Sequence, residues 1–123
     1  MEWRSLAEHF PDDVSVRYSA GLSLLNFHKY EDAAIHLRAA TESQHLPESV
    51  RGTAFYNLGL ALMNSGHVAE AETPLLTALK QPQPDMGAYC LLSEVYRYTS
   101  RFEEAVRAEA DCHSYFPSNG TMQ

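Results

Sequence analysis

The chain has 123 residues, a formal net charge of −7 and ordinary apolar content, enough for one modest domain. An acidic balance with few, scattered Lys and Arg argues against a nucleic-acid surface, because phosphates require clustered basic side chains. No stretch is long and apolar enough to cross a bilayer, and the opening M-E-W-R-S-L-A-E-H-F-P carries no apolar leader core. Two cysteines, Cys90 and Cys112, make no disulfide framework, so they are expected to be unpaired and the compartment reducing and cytoplasmic.

Taken in order, Glu2 to Phe10 has helical spacing, with Trp3, Leu6, Ala7 and Phe10 on one face, and Pro11-Asp12-Asp13 ends it. A helix is expected from Val14 to Phe27 and a second from Tyr30 to Ser43, whose Glu31-Asp32 start suits the helix dipole. After the loop Gln44-His45-Leu46-Pro47, Pro47-Glu48 suits the first turn of a longer helix.

That helix carries the strongest pattern. Phe55, Leu58, Gly59 and Leu62 share one side, Tyr56, Leu60 and Met63 another, and only Thr53, Asn57 and Asn64 form a polar sliver. Ser65-Gly66 makes a turn, and a helix of roughly 68 to 80 follows with Ala71, Leu75 and Ala78 on one stripe. Gln81-Pro82-Gln83-Pro84-Asp85 breaks the chain again, since no helix runs through two such prolines. Two more helices end with Phe102 to Phe116, and Ser118 to Gln123 reads as a polar, flexible tail.

These residues resemble the tetratricopeptide repeat, a helix pair recurring about every 34 residues. Phe55, Leu58-Gly59, Leu62, Ala71, Leu75 and Ala78 stand in the family's order. Ala20-Gly21, Ala33, Leu37 and Ala40 repeat it earlier, and Tyr89, Leu92-Ser93, Tyr96, Phe102, Ala105 and Pro117 later. Gly59 to Ser93 is 34 residues; Gly21 to Gly59 is 38, which places four extra residues in the intervening loop or helix.

The resemblance implies an all-α, right-handed α-solenoid of antiparallel helix pairs, about seven helices in total. The expected division is one repeat domain over 1–117: an N-terminal half repeat or cap (1–13), then repeats over 14–47, 48–85 and 86–117, with a tail of 118–123. Segment 1–13 is either a natural cap or the remainder of a longer array. The last repeat departs from the pattern: Glu109 replaces the bulky Leu37/Leu75 column and Cys112 the small Ala40/Ala78 column. Such a polar substitution would let the third repeat cap itself, the rival reading being an array that continues beyond Gln123; a monomer is favoured, with end-to-end association possible.

Nothing in the sequence points to chemistry. The histidines at 9, 28, 36, 45, 67 and 113 form no zinc-type spacing with each other or with the cysteines. There is no phosphate loop or nucleophile elbow. No catalytic residue, metal or cofactor is expected. Cys112 reads as a small packed residue, and Glu103-Glu104 as a solvated helix start.

In this family the first helix of each repeat lines a concave face that binds peptides. The residues carried over are Ser15, Tyr18, Leu22, Leu25 and Asn26; Thr53, Tyr56, Leu60, Met63 and Asn64; and Gly87, Cys90, Glu94, Arg97 and Tyr98. Two panels are apolar and tyrosine-lined; the third is charged. The implied partner is a protein or peptide segment with bulky apolar side chains. Plainer roles stand beside this one. Tyr18 and Tyr56 can fill space between neighbouring helices, Asn26 and Asn64 can cap helix ends, and Glu94 and Arg97 can pair with each other.

The carboxylate clamp of chaperone-tail binders is not matched: its columns hold Tyr18, Leu22, Asn57, Gly87 and Leu91, of which only Asn57 fits. The implied function is a non-catalytic interaction module, as a bacterial scaffold or assembly factor. The alternatives are a chaperone resembling those of type III secretion translocators, and a regulatory fragment of a larger enzyme or regulator.

Overall fold

The computed structural model describes residues 13–117; the expected helix of residues 2–10 and the tail from 118 lie outside them. Among the described residues there are six α-helices: α1 (Val14–Asn26), α2 (Tyr30–Glu42), α3 (Glu48–Asn64), α4 (Glu72–Leu79), α5 (Ala88–Tyr98) and α6 (Phe102–Tyr115). Each helix packs on the next in chain order, and the odd-numbered helices also touch one another, α1 on α3 and α3 on α5. This is the all-helical solenoid the sequence predicts.

Each helix pair is joined by the same turn. The N–H of Lys29 bonds to the Leu24 carbonyl (2.8 Å), that of His67 to Leu62 (2.8 Å) and that of Arg101 to Tyr96 (2.7 Å). The inner bonds repeat too: His28 to Leu25, Gly66 to Met63, Ser100 to Arg97. These paired bonds form a Schellman cap, which requires a left-handed residue just beyond the helix. That residue is His28 (φ 61), Gly66 (φ 92) or Ser100 (φ 63).

Within the first two pairs a leucine enters a glycine notch. A Cβ on Gly21 would stand 2.6 Å from Leu37 Cγ, and one on Gly59 2.6 Å from Leu75 Cδ2. Leu37 and Leu75 are accordingly fully buried, and the small residues Ala33, Ala71 and Ala105 are buried at the neighbouring crossings. Removing this apolar surface from water, at about 25 cal/mol per Å², drives the pairing.

The four extra residues of the second repeat lie at the N-terminal end of α3: Gly21 is the eighth residue of α1 and Gly59 the twelfth of α3. Arg51 in that added turn donates to the carbonyls of Thr41 (2.9 Å) and Ser43 (3.0 Å), tying the 43–47 loop to α3.

Two expectations are corrected. The helix expected over about 68–80 is instead a single 3₁₀ turn, Ala69–Ala71, followed by α4 from Glu72. Pro74 is the cause: it offers no N–H to the Glu70 carbonyl, and its ring crowds that position, so the first turn tightens. The cysteines are not unpaired. Cys90 and Cys112 form a disulfide between α5 and α6, with their Cα atoms 4.9 Å apart. Cys112 is therefore a cross-link, and the ground for expecting a reducing compartment is removed.

Candidate functional site

The α1 and α3 helices enclose an open depression of about 500 Å³ lined by Leu22, Leu25, Asn26, His28, Tyr30, Asn57, Leu60 and Asn64. Five residues carried over from the sequence, Leu22, Leu25, Asn26, Leu60 and Asn64, thus meet there. The spacing explains why. Leu22 and Leu25 lie one turn apart on α1, and Leu60 and Asn64 one turn apart on α3. Leu22 and Leu60 are half-buried and stand outside the main core cluster, whereas Leu25 packs against it.

The remaining residues fall elsewhere. Tyr18, Tyr56 and Met63 are half-buried and pack on the core. A Cβ on Gly87 would lie 3.1 Å from Tyr56 Cε1, so the Tyr56 ring fills the gap between α3 and α5. Burial pushes both phenols above their ordinary pKa. At Tyr18 the Asn57 side chain opposes that shift and Asp85 adds to it; at Tyr56 Asp85 and Glu94 add to it.

On α5, Cys90 is bonded to Cys112 and Tyr98 is 69 % exposed. Arg97 turns away from Glu94 and pairs with Glu109 on α6 at 3.3 Å. Ser15, Thr53, Asn26 and Asn64 are exposed.

Sequence reasoning passed over three lining residues. Asn57 belongs to the polar sliver of the helical projection, yet its side chain acts on Tyr18 across the helix interface. His28 comes from the turn and Tyr30 opens α2, their rings stacked with centroids 5.6 Å apart. The left-handed residue of the cap carries the His28 ring toward the groove, a consequence that helical periodicity alone does not reveal.

No group of three or more His, Cys, Asp or Glu side chains among the described residues has the arrangement of a metal site. No helix among them is long and apolar enough to cross a membrane.

Comparison with known proteins gives one family. The model of the Tetratricopeptide repeat matches twice, over residues 18–87 and 56–112, together well over half the chain. The two matches begin 38 residues apart (56 − 18), the same offset that separates Tyr18 from Tyr56 and Gly21 from Gly59. No curated protein sequence gives a match. Repeats of this kind serve generally as protein–protein interaction modules and are generally non-catalytic. Helix order, repeated caps and glycine notches agree with the match, and the chain belongs to the tetratricopeptide repeat family.

Proposed function

We propose that the concave face holds an extended segment of a partner protein, its bulky apolar side chains seated over Leu22 and Leu60. The supporting observation is the open depression between α1 and α3, where these two leucines stay half-buried without joining the core. Apolar surface left in this position gains free energy from a ligand that covers it. The role is holding, as in a scaffold or assembly factor, and the binding unit is the run of repeats over 14–47, 48–85 and 86–117.

Adjacent packed helices lie about 8–10 Å apart, so α1 and α5 should be about 20 Å apart across α3. An extended chain covers at most about 3.3–3.6 Å per residue, which sets the bound segment at about six to eight residues. A contact this small gives weak or moderate affinity unless the partner also wraps elsewhere.

The test is the double variant Leu22→Glu, Leu60→Glu, assayed for partner capture and for helix content by circular dichroism. Folding should survive, because both positions open to solvent, while capture falls sharply. A folded double variant that captures the partner undiminished would place binding on the convex face. Loss of the helical signal would make these leucines core residues and remove the groove.

A further inference from the structure

We propose that the segment held in this groove is apolar where it meets α1 and α3 and basic where it meets α5, its lysine or arginine lying between Asp85 and Glu94. The proposal rests on the groove reading above and adds the charge of the partner. Its starting point is the departure of Arg97. The sequence places Arg97 one turn from Glu94 as a ready counter-ion, but its guanidinium is engaged by Glu109 on the neighbouring helix. Glu94 is exposed and has no ion-pair partner among the described residues.

The second carboxylate is fixed by the backbone. Asp85 Oδ1 accepts the Gly87 N–H at 2.9 Å. A Cβ at Gly87 would stand 3.1 Å from that same oxygen and 3.1 Å from Tyr56 Cε1. The Asp85 carboxylate and the edge of the Tyr56 ring therefore converge over a residue with no side chain. The fields agree with this geometry: Asp85 acts on both tyrosines and Glu94 on Tyr56, each pushing the phenol pKa up after burial has done so.

A cation brought here meets the field of two carboxylates, and an anion meets repulsion. One apolar residue over the depression and one basic residue on its α5 side fit an extended chain of the length derived above.

The probes are fluorescein-labelled peptides of about eight residues, each with a Leu-Ala-Ala-Leu core, made in both chain directions. One set ends in two lysines, one in two glutamines and one in two glutamates. Anisotropy at low salt should show the lysine peptide binding about fivefold or more tighter than the glutamine peptide, with the glutamate peptide weakest. The gap should shrink at about 0.5 M salt.

Glu94→Gln and Asp85→Asn should each narrow the gap, the asparagine retaining an oxygen for the Gly87 N–H. Glu103→Gln removes the same formal charge from the exposed start of α6 and should leave the gap unchanged. Equal binding of lysine and glutamate peptides overturns the charge assignment while leaving the groove in place. So does a Glu103→Gln effect as large as that of Glu94→Gln, because net charge would then explain the preference. If no peptide binds, or Leu22→Glu with Leu60→Glu leaves all binding intact, the groove reading itself falls.

Discussion

Cys90 and Cys112 are joined across α5 and α6 at a separation of 22 residues, the same separation that sets Tyr18 against Ala40 and Tyr56 against Ala78. A tyrosine and an alanine column thus become a covalent bond in the last repeat. The same helix pair has lost its apolar knob: the Gly21–Leu37 and Gly59–Leu75 notches recur as Ser93 and Glu109. Ser93 is buried and donates its hydroxyl to the Cys90 carbonyl at 2.7 Å, and Glu109 is exposed. The disulfide thereby restrains a helix that packing holds less firmly.

Reduction should accordingly destabilise the chain by about 3 kcal/mol, the loop-closure entropy for a loop of this size. Chemical denaturation with and without reductant measures it. Hydrogen exchange should show α6 opening first while α2 to α4 keep their protection. A native chain that titrates with two free thiols and ignores reductant would remove the cross-link.

The three turns offer a comparison within one molecule. A side chain in the left-handed region costs about 1–2 kcal/mol, and His28 and Ser100 both occupy it where Gly66 needs no such strain. Ser100→Gly should stabilise by roughly 1 kcal/mol, and Gly66→Ala should destabilise by a similar amount. Nothing lies within 4 Å of a Cβ built on Gly66, so the alanine effect isolates backbone conformation from packing. Thermal or denaturant midpoints decide it, and a neutral Ser100→Gly would mean that the serine turn is not strained.

The core columns were legible in the sequence because they follow from period alone. Gly21 with Leu37 and Gly59 with Leu75 are the same pair sixteen residues apart, and any helix pair of this period must bring them together. The residues that escaped depend on other geometry. His28 and Ser100 betray nothing of their positive φ, since neither is glycine. Arg97 has two acidic candidates, Glu94 one turn before it and Glu109 on the next helix, and the tertiary arrangement selects the second. Cys90 and Cys112 match an offset visible in the other repeats, but two lone cysteines carry no pairing signal of their own. The depression was legible in its leucines and in Asn26 and Asn64; Asn57, His28 and Tyr30 enter it through helix crossing and the turn.

The outer side of α6 makes a prediction about association. Phe102 and Val106 are 62 % and 67 % exposed there, and Tyr115 and Phe116 are also exposed, so the helix is less polar than a self-capped end would be. Glu109, held by Arg97, is the charge on that stripe. Glu109→Leu would complete an apolar row with Phe102 and Val106, and association should rise with protein concentration. Light scattering on both chains checks this. A wild-type chain already dimeric through α6 defeats the prediction.

His67 supplies the pH dependence. It occupies the column of Arg101, and both use a basic side chain at the start of a repeat's second helix to reach two carboxylates. Arg101 donates to Glu104 in its own helix (2.8 Å) and to Glu72 of the preceding pair (2.6 Å). His67 meets Glu70 (3.1 Å) and, on the preceding pair, Glu31 (3.3 Å). Arginine keeps its charge at any working pH, whereas histidine does not. Hydrogen bonding to Glu31 raises the His67 pKa above its ordinary 6.5; desolvation opposes the rise, and Glu70 adds to it. A cation whose pKa is raised by folding contributes stability fully below the unfolded value. That contribution disappears as pH rises through the folded value. The wild-type chain should therefore melt above a His67→Gln variant at pH near 6, and the two should converge on the alkaline side of neutrality. His67→Arg should keep the margin throughout. Melting curves of the three chains at several pH values test this, and a wild-type margin that stays constant with pH would show that the imidazole contributes through packing and not through charge.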